Sequence, residues 1–175
     1  MPNFSIQPAR PGHLCLLGAI ERAAAGIFPP GSIPDHIRSD SLPPHLLEEG
    51  LRRDSLWAAS VPGQDGGAET IAGYALLRSV DGLAILAQID VHPAHGRQGI
   101  GTALVRRVED AARSRGFPAL YLTTFTHVPW NAPFYARLGF AALHGDAVPL
   151  PLRRILAGEE EAGLENRVAM RLDLE

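Results

Sequence analysis

The sequence predicts an α/β chain of the α+β type, with a central mixed, mostly antiparallel sheet flanked by helices. Two observations carry this prediction. Between Leu56 and Val91 apolar runs alternate with turn signals, and the Asp81-Gly82 pair between two of them is the strongest hairpin signal in the chain. Beyond Val91 a glycine-rich turn and a helical stripe lead to another apolar run at Leu120, a β-α-β arrangement whose two strands must lie parallel.

Taken in order, Phe4-Ser5-Ile6-Gln7 alternates apolar and polar residues as a short edge strand does. Pro11 leads a helix whose apolar positions Leu14, Leu17, Ala19, Ile20 and Ala24 return at helical spacing until Gly26. Cys15 lies on or near that stripe and is expected to be buried as a small hydrophobe. Residues Phe28 to Pro44 are proline-rich, and Ser41 before Pro43-Pro44 starts a second helix reaching about Arg53. Strands follow at Leu56–Val61, Ile71–Val80 and Leu83–Val91, the first two separated by a glycine-rich turn through Gly67. A helix from about Ile100 to Arg115 places Leu104, Val108, Ala111 and Ala112 on one stripe, with Gly116 as its stop. Leu120–Thr124 is the next strand. Asn131 can cap a short helix through Leu138, and Gly139 can supply its left-handed C-terminal residue. Phe140–Leu143 and Val168–Leu174 read as closing strands. Between them Pro149–Gly163 has a helical pattern, expected as an insertion over one end of the sheet.

At 175 residues with 46% hydrophobic composition, the chain reads as one domain, residues 1–175, long enough to bury a core. Sixteen basic residues, all arginine, against 19 acidic ones give a net charge of -3 with no basic run, which argues against nucleic acid as a partner. Nothing reaches membrane-spanning length and no signal segment is evident, so a cytoplasmic protein is expected, with no membrane partner. The single cysteine excludes an intramolecular disulfide, and the seven histidines lack metal-ligand spacing, so no metal is expected. Oligomeric state is open, a homodimer being one outcome.

The stretch from Val91 to Leu104 carries the chemistry. The first N–H groups of a helix have no internal partner, and the helix dipole adds partial positive charge there. Gly96, Gly99 and Gly101 leave those amides accessible to an anion, and Arg97 adds a formal charge at the rim. A P-loop would need a lysine, which the chain lacks, and the dinucleotide fingerprint would need a small residue where Leu104 stands.

The same stretch resembles motif A of the GNAT superfamily of N-acetyltransferases, a strand running into Q/R-x-x-G-x-G/A and a helix. Gly99 and Gly101 fall on the glycine positions, while the Gln/Arg position falls on Gly96, with Arg97 one residue later. Downstream, Asn131 to Phe140 resembles motif B of that superfamily in loose form. The resemblance implies acetyl-CoA as co-substrate, held by Val91, His92, Arg97, Gln98, Gly99, Ile100, Gly101, Thr102, Asn131 and Tyr135. It further implies an oxyanion site at a backbone N–H near Ile89 to Val91, where two parallel strands splay, and an acceptor site bordered by the Phe28 to Pro44 segment.

Acetyl transfer to an amine needs a neutral nucleophile, oxyanion stabilisation and a proton for the departing thiolate. The resemblance makes Tyr135 the general acid. For the base, the position where many of these enzymes carry glutamate holds Gln88; Asp90, next in alternation, and His127, after the following strand, are the candidates, His92 being a further polar neighbour. The expected activity is acetyl transfer from acetyl-CoA directly to a primary amine, a small molecule rather than a peptide, through a ternary complex. The competing expectation is a non-catalytic acyl-CoA-binding or sensing module. Trp57 is expected in the core, and Trp130 either packs or walls the acetyl pocket.

Overall fold

The structure, a computed structural model, describes residues 3–63 and 67–175. It contains strands β1 (Ser5–Pro8), β2 (Leu56–Val61), β3 (Thr70–Val80), β4 (Leu83–Val91), β5 (Ala119–Phe125), β6 (Ala141–Leu143) and β7 (Arg167–Asp173). The helices are α1 (Leu14–Ala25), α2 (Asp35–Ser39), α3 (Pro44–Arg52), α4 (Ile100–Ser114), α5 (Ala132–Arg137) and α6 (Leu150–Glu161). Every strand joins one sheet in the order β1-β2-β3-β4-β5-β7-β6. All neighbours are antiparallel except β4 and β5, which are parallel, as the crossover through α4 requires.

Two faces organise the core. On one, α4 buries Ile100, Leu104, Val105, Val108 and Ala112 against Ala75, Leu86, Leu120 and Leu122, joined by Tyr135 and Phe140. On the other, Leu17 and Ile20 of α1 and Leu47 of α3 pack on Tyr74 and Leu76. Burying a side chain of this kind contributes roughly 1.5–3 kcal/mol. Leu152 of α6 packs on Ile85, Ala119, Tyr121 and Ala169. The expected insertion over one end of the sheet is thus a helix laid on the α1 face, because its apolar stripe needs three strands to cover it.

The strands and helices fall within a few residues of the expected bounds, with two departures. The proline-rich segment contains the short helix α2, which the proline content concealed. Cys15 is exposed, its Sγ donating to Gly12 O at 3.4 Å, because α1 turns Leu17 and Ile20 inward and leaves position 15 outside. Residues 64–66 of the turn expected through Gly67 lie outside the described residues. Trp57 is buried, with the Arg107 guanidinium 5.1 Å over its ring. Among the described residues no helix is long and apolar enough to cross a membrane.

Candidate active site

Arg97, at φ +60, and Gly99, at φ +85 and ψ 0, turn the chain from β4 into α4. Two left-handed residues in three point successive amides toward one side, a concavity suited to an anion. The Gly96 N–H is used by Pro93 O and the Ala103 N–H by Gly99 O; the six amides from residue 97 to residue 102 have no backbone acceptor among the described residues. His92 is spent on the turn itself, its Nδ1 accepting from the Ala94 N–H at 3.2 Å.

This cradle stands at the mouth of a gap. β4 and β5 pair only at Ala84↔Leu120 and Ile85↔Tyr121. Beyond that point β4 stays on β3 as far as Val91 and β5 stays on β7 as far as Phe125, so the two parallel strands diverge. Gly73, opposite Val91, permits the close pairing at that end: a β-carbon there would lie 2.7 Å from Asp90 O. The His92 N–H bonds Ala72 O across the β3 side, so alternation turns the Val91 and Ile89 N–H groups toward the gap.

Tyr135 is buried between Phe134 and Phe140, ring centroids 5.1 and 5.8 Å away, on the α4 face. Burial raises its phenol well above the ordinary value, and the Asp90 charge raises it further, while Arg167 opposes this. Asn131 occupies the N-terminal cap position of α5 but makes no side-chain cap. Its Oδ1 instead accepts from Thr124 Oγ1 at 3.0 Å, and its buried Nδ2 has no partner among the described residues. Buried donors in proteins are rarely left unpaired.

Asp90 faces the other way, toward α1, because of a register shift. Leu77 pairs with Leu86 and Leu76 with Gln88, leaving Ala87 as an extra residue in β4. Such a bulge re-aims the side chains that follow. Ala84 and Leu86 point to the α4 face, and plain alternation would send Gln88 and Asp90 there too; after the bulge they lie opposite Leu76 and Tyr74 on the α1 face. Gln88 Nε2 donates to Asp90 Oδ2 at 2.7 Å and to Glu21 Oε1 at 3.3 Å. The Tyr74 hydroxyl and the Leu42 N–H donate to Glu21 Oε2 at 3.2 and 2.8 Å. Burial pushes the Asp90 carboxyl up to about 7, against the Gln88 hydrogen bond and with help from the Glu21 charge. Burial raises Glu21 as well.

His127 lies two residues beyond the end of β5. It is exposed, packs edge-on to Phe125 at 5.4 Å, and lines a cavity of about 470 Å³ with Ser32, Ile33, Asp35, Glu165 and Asn166. The loop before α2 and the link from α6 to β7 form its walls, anchored by Glu159, which bonds Thr123 Oγ1 at 2.6 Å and Arg167 at 2.8 Å. Trp130 is exposed and packs edge-on to Phe28. Among the described residues no group of three or more His, Cys, Asp or Glu could hold a metal ion.

Sequence reasoning thus missed Glu21 and Tyr74. The one signal available for Glu21 was that it is the only acid in a helix otherwise apolar or basic on most of its positions.

Among the described residues, a run of free amides at a helix N-terminus, an unpaired buried amide donor at the start of α5 and a gap between parallel strands fit a ligand with phosphates at one end and amide carbonyls along its arm. They define a class of protein that anchors such a ligand outside the sheet and admits its arm between two strands. More particularly, the chain belongs to the acetyltransferase (GNAT) family, which it matches over residues 30–140. Solved structures share the fold. N-acetylglutamate synthase from Neisseria gonorrhoeae, complexed with coenzyme A and N-acetyl-glutamate, has a TM-score of 0.71 at 19% identity, covering 98% of this chain and 35% of that one. This chain therefore spans about a third of that enzyme. A PaiA N-acetyltransferase from Thermoplasma acidophilum in complex with coenzyme A has a TM-score of 0.66 at 18% identity over 97% and 98% of the two chains. A ribosomal-protein alanine N-acetyltransferase from Escherichia coli has a TM-score of 0.65 at 21% identity over 98% and 94%.

Proposed function

We propose that the protein, as one domain spanning residues 1–175, transfers an acetyl group from acetyl-CoA directly to the primary amine of a small molecule through a ternary complex. The observation that carries this reading is the run of six free amides at residues 97–102 opening onto the gap between β4 and β5. Those amides, with Arg97, hold the coenzyme pyrophosphate; Asn131 Nδ2 donates to the pantetheine arm. The co-substrate supplies a thioester whose carbonyl is open to attack.

Asp90 takes a proton from the acceptor ammonium. A carboxyl near 7 is matched to that task, where an ordinary one would be too weak a base. The Val91 N–H, turned into the gap, receives the negative charge that develops on the carbonyl oxygen. Tyr135 then gives its proton to the departing sulfur, and the second proton, shed by the nitrogen as the amide forms, restores the phenol. Burial raises the phenol, and the same desolvation disfavours a free thiolate in that pocket, which favours proton transfer to the sulfur. His127 lines the cavity that would take the body of the acceptor.

The small-molecule acceptor is supported by the size of that cavity, within the usual range for such ligands, and by Asp35 and Glu165 on its wall, which favour a cation. The chemistry of N-acetylglutamate synthase, a fold neighbour bound to a small acetylated amino acid, accords with it. A cytoplasmic location suits the free, exposed Cys15.

Release of free coenzyme A, followed with a thiol reagent across a panel of amines, tests the reading on wild type and Tyr135→Phe. Turnover with at least one amine, cut roughly 100-fold by the substitution, is the expected result. Acetyl-CoA raising the melting temperature with no amine consumed would instead favour the sensing module.

A further inference from the structure

Glu21 has no part in the steps above, yet it accepts three hydrogen bonds and is tied to Asp90 through Gln88. It is the only acidic residue of α1 and accepts from the Leu42 N–H, the Tyr74 hydroxyl and Gln88 Nε2. A side-chain amide nitrogen carries two hydrogens, and Gln88 gives one to Glu21 and one to Asp90. Sharing one nitrogen keeps the two carboxylate oxygens within about 6 Å, where like charges disfavour each other's ionised form. Tyr74 and Asp90 are cross-strand partners on β3 and β4, so the hydroxyl on Glu21 also stands beside Asp90.

We propose that Glu21 is a positioning residue for Asp90: Gln88 and Tyr74 join the two carboxylates into one unit that accepts the acceptor's proton, and the charge of Glu21 sets the pH at which Asp90 can take it. The step balances as one proton leaving the acceptor nitrogen, whose electron pair is freed, for a carboxylate oxygen of Asp90. Gln88 thereby has a function at the position where the family's glutamate would stand. It fixes two carboxylates where a third would repel both. The proposal rests on the reading of Asp90 as the base.

The groups that face the pair are Tyr74 from β3 and Gln88 from β4; Glu21 also feels Arg22 on α1 and Asp40 in the link from α2 to α3, and the Asp90 charge reaches Tyr135 of α5 on the other face. Arg167 of β7 acts on Tyr135.

The experiment is a pH titration of the protein labelled with carboxyl carbon-13 in Asp and Glu, between about pH 4 and 9, in which the coupled pair titrates in two steps. Glu21→Gln keeps one oxygen to accept from both Leu42 and Tyr74, removes the charge, and gives up the oxygen that accepts from Gln88. It is expected to lower the pair's upper midpoint by about one pH unit or more. Gln88→Leu removes the donor that favours the ionised form and is expected to raise that midpoint, the opposite sign. An upper midpoint unmoved by Glu21→Gln, or by Gln88→Leu should the first variant not fold, overturns the proposal. Asp90→Asn, assayed for acetyl-CoA consumption across the amine panel, separates the two readings. Full turnover in that variant overturns Asp90 as base and this proposal with it, whereas lost turnover beside an unmoved midpoint leaves the base and removes only the role of Glu21.

Discussion

Replacing Asn131 and Thr124 together by Leu and Val should make the free protein more stable and its coenzyme binding weaker. The side-chain pair shares one hydrogen bond, and Asn131 Nδ2 is buried with no partner among the described residues. Losing the bond costs about 0.5–1.5 kcal/mol, while removing an orphaned buried donor returns about 1–3 kcal/mol. Because both partners are replaced by apolar groups of similar shape, the net gain is about 1 kcal/mol, which for a chain of 175 residues raises Tm by about 2–4 °C. Asn131→Leu alone leaves the buried Thr124 hydroxyl without its acceptor and should come out near neutral. On the ligand side the double variant loses one donor, roughly a tenfold weaker Kd for coenzyme A. Scanning calorimetry without ligand and over a coenzyme A series reads both numbers, since the ligand-induced rise in stability reports Kd directly. A double variant that is less stable than wild type and binds coenzyme A equally well would refute the reasoning, because Nδ2 would then have a partner other than the coenzyme.

Gly99→Glu and Gly101→Glu should each abolish measurable coenzyme A binding in calorimetric titration. A β-carbon at Gly101 meets only Phe134 Cζ at 3.7 Å and Val91 Cγ2 at 3.9 Å, so that variant folds, while Gly99 at φ +85 adds backbone strain of about 1 kcal/mol. Undiminished affinity in the folded Gly101→Glu protein would remove the cradle. Asp90→Asn should raise Tm by more at about pH 8 than at about pH 5, because a folded carboxyl raised from 3.8 to about 7 binds its proton more tightly than the unfolded one, so stability is lost progressively as pH rises between those two values. Equal shifts at both pH values would contradict it. Glu109 is the converse: its bonds to Arg106 and Arg113 at 2.6 and 2.7 Å outweigh desolvation and hold its carboxyl below 4.5. Its contribution is present above that pH and lost as pH falls through the folded value, so Glu109→Gln should cost about 1 kcal/mol at neutrality, with urea melts of variant and wild type converging in acid.

Periodicity and turn chemistry made most of the fold legible, because β3, β4 and α4 take their bounds from local signals: the Asp81-Gly82 turn, the glycines before Ile100 and the stripe from Leu104 to Ala112. Helix α2 was not legible, since five residues among prolines carry no periodicity to read. Cys15 was misjudged because one position of rotation on a short, weakly amphipathic helix decides burial, and only the packing of Leu17 and Ile20 fixes that rotation.

The site divides along a different line, between chemistry carried by backbone and chemistry carried by side chains from distant elements. The cradle is a local object, so its glycines announce it. The acid cluster is not: Glu21 lies 67 positions from the amide it bonds, and no spacing rule links them. Even the orientation of Asp90 depends on one extra residue in β4, since a strand without the bulge at Ala87 would turn Gln88 and Asp90 to the α4 face, onto the apolar cluster around Leu104. A bulge has no sequence signature at Ala87, but its consequence does. Two polar side chains, Gln88 and Asp90, follow a strand whose earlier residues Ala84, Ile85 and Leu86 are all buried, and a partly buried polar pair demands partners. The search for those partners leads to Tyr74 across the ladder and then to Glu21 on α1. The physical demand for satisfied polar groups therefore finds the part of the site that motif and alternation leave dark.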